Sequence, residues 1–293
     1  MAAGAAYVRL VPPPGSPELE GGCVEARYGA AGEGGPRRIS SGRGYGIAVD
    51  PNPWNTESGS GDVAVRACPY GFEAVAKYSS ATARSPQETV LGYPEVIYGY
   101  KPWGRLSTPT HPALRLPARV GDLPPAAALV DYSVEFPDGR GNMAFDLWIT
   151  ASYVPDRVVP GDVELMIWLY REGMTPMGYE RPTATATLPA IINGAASEAN
   201  WGVYVAHPMG PGKWTYVAFT LEPPVASGRV LVPLTSLLRA ASSMLEGILG
   251  RRLEDMYLNG VELGMEYTSR RWPPVGAPVE ARYMLRELGL LVL

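Results

Sequence analysis

Apolar and polar side chains alternate along residues 163–169 (VELMIWL), and this alternation constrains the fold more than any other feature of the chain. Because successive side chains of a β-strand point to opposite faces, the odd-numbered residues form one apolar face. Glu164 then shares the other face with Met166 and Trp168. This stretch alone leaves two interpretations open. Glu164 is either exposed on an ordinary amphipathic strand, or it is a carboxylate that is partnered or reactive because its surroundings are apolar.

The same arrangement recurs in two other segments. Residues 143–150 alternate in the same way and place Asp146 on the polar face, two residues before a tryptophan. Residues 256–267 place Glu262 and Glu266 opposite a second apolar face. Three strands that each turn an acid to one side are difficult to explain as solvated surface, and they predict a shared acidic cleft.

Composition favours an all-β fold. The chain of 293 residues contains 34 Gly and 30 Pro, and its short alternating segments are separated by turn residues. Residues 138–142 (DGRGN) are expected to form a tight hairpin turn. Only one segment, residues 235–249, has the periodicity of a helix, with Thr235 or Ser236 as its cap and Gly250 at its end. The pattern predicts an antiparallel β-sandwich or jelly roll.

Charge and rare residues exclude several function classes. The net charge is −4 and no Lys/Arg cluster is present, so nucleic acid is not an expected partner. His111 and His207 are the only histidines, and no Cys/His spacing resembles a zinc site, so neither a metal nor another cofactor is expected. No run of about 18 apolar residues could span a bilayer. Cys23 and Cys68 would form a disulfide in an oxidising compartment and stay as two small thiols in a reducing one.

Several acids near aromatic residues point to hydrolysis of a glycosidic bond. This reaction needs one carboxylic acid to protonate the leaving oxygen, and a second carboxylate to attack the anomeric carbon or activate water. A neighbouring acid, as Asp146 could be, helps to separate the pKa values of the pair. The residues alone leave two rivals, a noncatalytic glycan-binding sandwich and an unrelated β-rich protein.

Several segments also resemble glycoside hydrolase family 12, the small jelly-roll endoglucanases, and they occur in the order found in that family. Residues 163–169 are similar to its Glu-Ile-Met-Ile-Trp nucleophile strand. Residues 263–266 (LGME) are similar to its Gly-Thr-Glu acid/base strand, with Met265 in place of Thr. Three further segments resemble the Asn-x-Trp sugar-binding loop, a stretch found in prokaryotic and archaeal members, and the acid near the nucleophile: Asn52-Pro53-Trp54, residues 92–103 and Asp146-Leu147-Trp148.

The resemblance implies a role for each candidate site residue. Glu164 would be the nucleophile, Glu266 the general acid/base, and Asp146 an acid that hydrogen-bonds to Glu164 and tunes it. Glu262 shares a face with Glu266, so position in the sequence leaves an exchange of their roles open. Substrate-binding roles are expected for Asn52, Trp54, Trp103, Trp148 and Met166. Trp201 and Trp214 are further candidates for sugar platforms, but the expected role of each is packing in the core.

The resemblance further implies a β-jelly roll of two curved antiparallel sheets, with one α-helix packed on the convex side and a cleft on the concave side. The first 40 residues match nothing in the family. An irregular segment at residues 1–40, which leads into the first strands and includes a possible strand at Cys23 to Tyr28, is expected to precede one catalytic domain at residues 41–293.

The implied activity is that of a retaining endo-β-1,4-glucanase acting on cellulose-like or mixed-linkage β-glucans. The alternatives are a xyloglucan-specific endoglucanase of the same fold and a noncatalytic glycan-binding jelly roll. The protein is expected to be extracellular, monomeric and thermostable, without a membrane partner, and with any signal peptide absent or already removed.

Overall fold

The computed structural model describes residues 5–29, 32–209 and 213–293, and most of its regular structure is β. The strands are β1 (Ala6–Val11), β2 (Val24–Gly29), β3 (Gly32–Glu33), β4 (Arg37–Ser40), β5 (Gly46–Asp50), β6 (Thr56–Cys68), β7 (Gly71–Ala83), β8 (Glu95–Lys101), β9 (Leu106–Ser107), β10 (Ala118–Arg119), β11 (Ala126–Asp138), β12 (Arg140–Thr150), β13 (Val163–Glu172), β14 (Ala184–Ile192), β15 (Ala195–Ala206), β16 (Thr215–Glu222), β17 (Ser227–Val232), β18 (Tyr257–Leu258), β19 (Gly260–Gly264), β20 (Tyr267–Thr268) and β21 (Ala277–Val292). The α-helix is α1 (Leu234–Leu249), and short 3₁₀ turns occupy Pro17–Leu19, Trp103–Arg105, Val120–Asp122, Pro176–Gly178 and Leu253–Asp255.

The longer strands form two layers, and β14 joins them at one edge because it pairs with both β15 and β17. The outer layer has the order β2–β6–β7–β21–β11–β17. The inner layer has the order β4–β5–β8–β19–β12–β13–β16–β15. These pairs are antiparallel except β13–β16, which is parallel. Apolar side chains of both layers meet in one core, and the predicted jelly-roll sandwich is confirmed.

The alternation predicted for the acid-bearing strands is confirmed. Strands β12 and β13 pair directly, with Trp148 opposite Glu164. Phe145 and Leu165 point into the core between the layers, where they are fully buried. Asp146 therefore shares with Trp148 and Glu164 the face of the inner layer that turns away from the core.

The N-terminal segment, expected to be irregular before the first strands, already contains a strand near its start in the residues that the structure describes. Strand β1 pairs with the end of β21, and β2 pairs with β6. Val8 and Leu10 are buried in the same core as the rest of the sandwich. Cys23 and Cys68 form a disulfide between the start of β2 and the end of β6. The segment is part of the sandwich because its short strands find partners far along the chain.

The predicted hairpin at residues 138–142 is wrong. Strands β11 and β12 do not pair with each other, because β11 lies in the outer layer and β12 in the inner layer. Gly139 is the single residue between them and forms a corner that carries the chain from one layer to the other. This corner brings Asn142, near the start of β12, beside the segment that follows β19.

The helix spans Leu234–Leu249, close to the predicted residues 235–249, but its cap differs. Pro233 occupies the N-cap position, without a side-chain cap hydrogen bond. The Thr235 hydroxyl instead accepts a hydrogen bond of 3.1 Å from the Ala126 backbone N–H and ties the helix to β11. Gly250 ends the helix as expected, with a φ of 66°. No helix in the described ranges has the length and apolar character needed to cross a bilayer.

Candidate active site

The candidate residues line one cavity of about 300 Å³ on the exposed face of the inner layer. Every side chain predicted for the site contributes to its wall: Asn52, Trp54, Trp103, Asp146, Trp148, Glu164, Met166 and Glu266. Tyr93, Lys101 and Trp214 also line it. Neither Tyr93 nor Lys101 was predicted as a site residue, and Trp214 was expected to pack in the core rather than to bind sugar. The cavity thus brings together residues that are up to about two hundred positions apart in the chain.

Glu164 reaches the cavity from β13. Its Oε2 atom accepts a hydrogen bond of 2.5 Å from the indole Nε1–H of Trp214. The pKa of Glu164 is raised to about 8, chiefly by burial, with the charges of Glu266 and Glu262 acting in the same direction and the Trp214 hydrogen bond opposing them. The indole therefore stabilises the ionised carboxylate and holds one of its oxygens, and the other oxygen has no donor among the described residues.

Glu266 reaches the same cavity from the segment between β19 and β20. The Asn142 amide donates a hydrogen bond to Glu266 Oε2, and the Glu266 backbone N–H donates to Asn142 Oδ1 at 3.3 Å. Burial raises the pKa of Glu266 to about 7, and the hydrogen bond from Asn142 opposes this shift. Asn142 thus fixes both the backbone and the carboxyl group of Glu266, a role that its expected place in a turn did not indicate.

Asp146 lies on β12 between the strands that carry the other acids. Trp148 Nε1–H donates to Asp146 Oδ2 at 3.1 Å, and the buried Oδ1 atom has no partner among the described residues. The expected hydrogen bond from Asp146 to Glu164 is not formed. Burial, followed by the charges of Glu164 and Glu262, raises the pKa of Asp146 well above its ordinary value. The charge of Glu164 therefore acts on Asp146 without a hydrogen bond between them.

Glu262 occupies a different position from Glu266. It is buried beneath the cavity, where its Oε2 atom accepts a hydrogen bond of 3.0 Å from Lys101 Nζ. Lys101 also donates to Glu95 Oε1, which accepts a further hydrogen bond of 2.7 Å from Asn52 Nδ2. The cavity is lined by Glu266 and not by Glu262, and this placement favours Glu266 for the role that the sequence left open.

Three indole rings form an aromatic wall of the cavity. Trp103, Trp148 and Trp214 contact one another edge to face, with ring centroids 5.3–5.6 Å apart. Trp148 is only 4% exposed, whereas Trp103 is 42% exposed, so Trp103 presents more free surface to a sugar ring. The prediction that Trp214 packs in the core is wrong, but the same prediction for the fully buried Trp201 is confirmed.

Beyond the aromatic wall, Trp168 lies beneath the cleft surface. It is 3% exposed and its Nε1–H contacts Met166 Sδ at 3.5 Å. Trp54, by contrast, is 44% exposed and borders both this cavity and a second one of about 320 Å³. Asn52 also borders both cavities, and Tyr28 and Arg84 line the far side of the second. An extended ligand could therefore continue past Trp54.

The chemistry available in the cavity is that of carboxyl groups. In the described ranges, no group of three or more His, Cys, Asp or Glu side chains is arranged to hold a metal ion. Glu164 and Glu266 share one cavity, and burial raises the pKa of both carboxyl groups towards neutral pH. Such a pair can hold a proton on one member and a charge on the other, which acid catalysis combined with nucleophilic attack requires.

Comparison with known proteins gives matches in sequence pattern and in fold. A family description named Glycosyl hydrolase family 12 matches residues 45–272, well over half of the chain. No curated protein matches the chain in sequence.

Three solved structures illustrate the similarity in fold. A metagenome-derived glycoside hydrolase family 12 endoglucanase is 22% identical, with 92% of this chain and 98% of that chain covered and a TM-score of 0.63. Endoglucanase cel12A from Rhodothermus marinus is 24% identical, with 90% and 99% covered and a TM-score of 0.59. A family 12 xyloglucanase from Bacillus licheniformis is 15% identical, with 92% and 100% covered and a TM-score of 0.61.

Proposed function

The chain belongs to glycosyl hydrolase family 12 and is a glycosidase with a glycan substrate, and we propose that it is a retaining endo-β-1,4-glucanase. Its substrates would be cellulose-like and mixed-linkage β-glucans. In this proposal Glu164 is the nucleophile, Glu266 is the general acid/base, and Asp146 tunes Glu164. The observation that carries the proposal is the presence of Glu164 and Glu266 in one cavity beside a wall of indole rings.

The hydrogen bonds of the two glutamates support this division of roles. The reactive form carries one proton on Glu266 and the charge on Glu164, where the Trp214 N–H stabilises it. Because the pKa of Glu164 is raised to about 8 and that of Glu266 to about 7, this form is the minor one of the two singly protonated states, and the Trp214 hydrogen bond increases its share. Glu266 gives its proton to the leaving oxygen while Glu164 attacks the anomeric carbon and forms a glycosyl ester. Glu266, now ionised, removes a proton from the water that hydrolyses this ester. A pKa of about 7 suits both halves of the cycle, because Glu266 acts first as an acid and then as a base.

The surroundings of the pair support cleavage within a chain. Exposed Trp54 and Trp103 offer flat apolar faces that match the C–H faces of glucose rings. The second cavity continues beyond Asn52 and Trp54 and leaves room for further sugar units. A polysaccharide can therefore lie across the site without presenting its end, as an endo-acting enzyme requires.

The experiment compares Glu164→Gln and Glu266→Gln with the wild type on barley β-glucan and carboxymethyl-cellulose. Both variants are expected to lose release of reducing sugar by at least about 10³-fold, because each removes one member of the pair. Glu280→Gln, a change on the outer layer, serves as the matched control and should retain activity. Full activity in either cavity variant would refute the proposed roles.

Two further measurements decide the finer points. Proton NMR of the first product from cellohexaose should show the β-anomer, because double displacement retains configuration. A panel that includes xyloglucan separates the proposed specificity from that of a xyloglucan-specific relative. Binding of glucan without any cleavage would favour a noncatalytic glycan-binding protein.

An extracellular location belongs to the same proposal. The Cys23–Cys68 disulfide supports it, because such bonds persist mainly in oxidising compartments. Fractionation of the producing cells, with the activity assayed in the medium, tests it. Activity confined to the cytoplasm would contradict it.

A further inference from the structure

Lys101 is the one cationic side chain among the described residues that line the cavity. It stands at the end of β8 and is 5% exposed. Asp50, Glu95 and Glu262 face it from β5, β8 and β19, and their charges raise its pKa above the ordinary value against the effect of burial. Lysine is seldom buried without a specific partner, and the reaction described above gives Lys101 no task.

Glu95 connects Lys101 to Asn52, a residue that lines the cavity. Lys101 Nζ and Asn52 Nδ2 both donate to the same oxygen, Glu95 Oε1. The other carboxyl oxygen of Glu95 is buried and has no partner among the described residues. Because two donors share one acceptor atom, loss of the ammonium group removes one of the two hydrogen bonds that fix the Glu95 carboxylate. The Asn52 amide, which borders the cavity, would then lose its fixed orientation.

The second hydrogen bond of Lys101, to Glu262, concerns the charge near Asp146 and Glu164. Glu262, which accepts a hydrogen bond from Lys101, lies opposite Asp146 in the β12–β19 pair. The negative charge of Glu262 acts on both Asp146 and Glu164, whereas the charge of Lys101 acts on Asp146 in the opposite sense. An ion pair produces a weaker field than a lone carboxylate, so Lys101 limits the influence of Glu262 on the acids in the cavity.

We propose that Lys101 is a positioning residue for the reaction. Through Glu95 it orients the Asn52 amide towards the sugar, and through Glu262 it limits the negative charge that bears on Asp146 and Glu164. The proposal rests on the proposed function, since it assigns Lys101 a part in the same site. It predicts two separable effects of Lys101, one on substrate binding and one on the pH dependence of the reaction.

The first test uses Lys101→Met and Lys101→Arg on barley β-glucan. In Lys101→Met we expect a higher KM and a fall in kcat/KM of about 10²-fold, because the site loses its alignment. The acid limb of its pH profile should move up by roughly half a pH unit or more, since Glu164 must ionise against additional negative charge. Lys101→Arg keeps the charge and should keep the acid limb, while its larger head group raises KM. Lys77→Met, at an exposed lysine paired with Glu280, is the control and should match the wild type.

A second variant guards against a failure to fold, because Lys101→Met leaves Glu95 and Glu262 buried without a cation. The double variant Lys101→Met/Glu262→Gln removes one charge of each sign. It should return the acid limb to the wild-type position. The KM should stay raised, because Glu95 still lacks the hydrogen bond from Lys101 that fixes it and, through it, the Asn52 amide. A folded variant without Lys101 that has the wild-type KM and acid limb would overturn the proposal.

A third measurement does not depend on catalysis. A carboxyl ¹³C NMR titration, with the Asp146 signal assigned from Asp146→Asn, should give a higher midpoint for Asp146 in Lys101→Met than in the wild type. An unchanged midpoint would overturn the electrostatic part of the proposal. If the wild type cleaved no β-glucan, the proposed function would fail, and this titration would still decide the effect of Lys101.

Discussion

The indole of Trp214 and the carboxylate of Glu164 are joined by a hydrogen bond of 2.5 Å between Nε1 and Oε2. Trp214 precedes β16, and β16 pairs in parallel with β13, the strand that carries Glu164. The donor therefore comes from a neighbouring strand rather than from the aromatic residues beside Glu164 in sequence. Its effect on the pKa of Glu164 opposes that of burial.

Replacing Trp214 by Phe should shift the pH profile of kcat/KM. Loss of the N–H donor removes an interaction that lowers the pKa of Glu164, so this carboxyl group will ionise at higher pH. We expect the acid limb to move upwards and kcat to fall roughly ten-fold, since a hydrogen bond to a charged group contributes about 1.5–3 kcal/mol. Initial rates on barley β-glucan between pH 4 and 9 measure both effects. Trp272→Phe, at an exposed ring outside the cavity, is the control, and an unmoved acid limb in Trp214→Phe would contradict the role of the indole.

Replacing Asn142 by Leu should move the opposite limb. The Asn142 amide lowers the pKa of Glu266, so its removal will let Glu266 keep its proton to higher pH. The alkaline limb of kcat/KM should shift upwards, while kcat falls because Glu266 is less firmly held. The same pH series measures the shift, and the exposed Asn200→Ala provides a control. A downward shift, or none, would show that Asn142 does not stabilise the Glu266 carboxylate.

The faces of the site strands could be predicted because the two-residue period of a β-strand is local. The positions of Asp146, Glu164 and Glu266 follow from alternation alone, as does the orientation of Met265 into the core. The resemblance to a family added Asn52 and other loop residues that have no periodic signal. The prediction of roles went further than the placement, and those roles stay predictions until the variants are assayed.

The residues that support the site could not be predicted in the same way, because they depend on pairing between distant strands. Asn142 and Glu266 are 124 positions apart, and Lys101 and Glu262 are 161 apart. The first strand was missed for the same reason, since β1 finds its partner in β21 near the other end of the chain. Alternation assigns a side chain to a face but does not tell which strand lies next to it.

Stability should fall as the pH rises from 5 to 8. Burial raises the pKa of Glu266 to about 7 and that of Glu164 to about 8, so the folded protein keeps protons that the unfolded chain has lost above about pH 4.5. The stabilisation is therefore present at acidic pH and is lost as the pH rises through the folded-state values. Both side chains are partly accessible to solvent, so we expect about 1 kcal/mol from each rather than the full value of the shift.

Urea unfolding of the wild type and Glu266→Gln at pH 5.5 and 8.0 measures this dependence. The amide does not titrate, so the free energy of unfolding of the variant should depend less on pH than that of the wild type. Glu280→Gln on the outer layer is the control and should follow the wild type. An equal pH dependence in all three proteins would contradict the raised pKa of Glu266.

Removal of the disulfide should lower stability without lowering activity. Cys23 and Cys68 are 45 positions apart, so their bond restrains a long loop of the unfolded chain and ties the N-terminal segment to β6. We expect Cys23→Ala/Cys68→Ala to lose about 2–4 kcal/mol of unfolding free energy. Neither cysteine lines the cavity, so kcat and KM at 25 °C should be unchanged.

Thermal unfolding with and without reductant provides the internal control, because reductant should lower the Tm of the wild type and leave that of the double variant unaltered. Equal Tm values for the oxidised wild type and the double variant would show that the bond does not stabilise the protein.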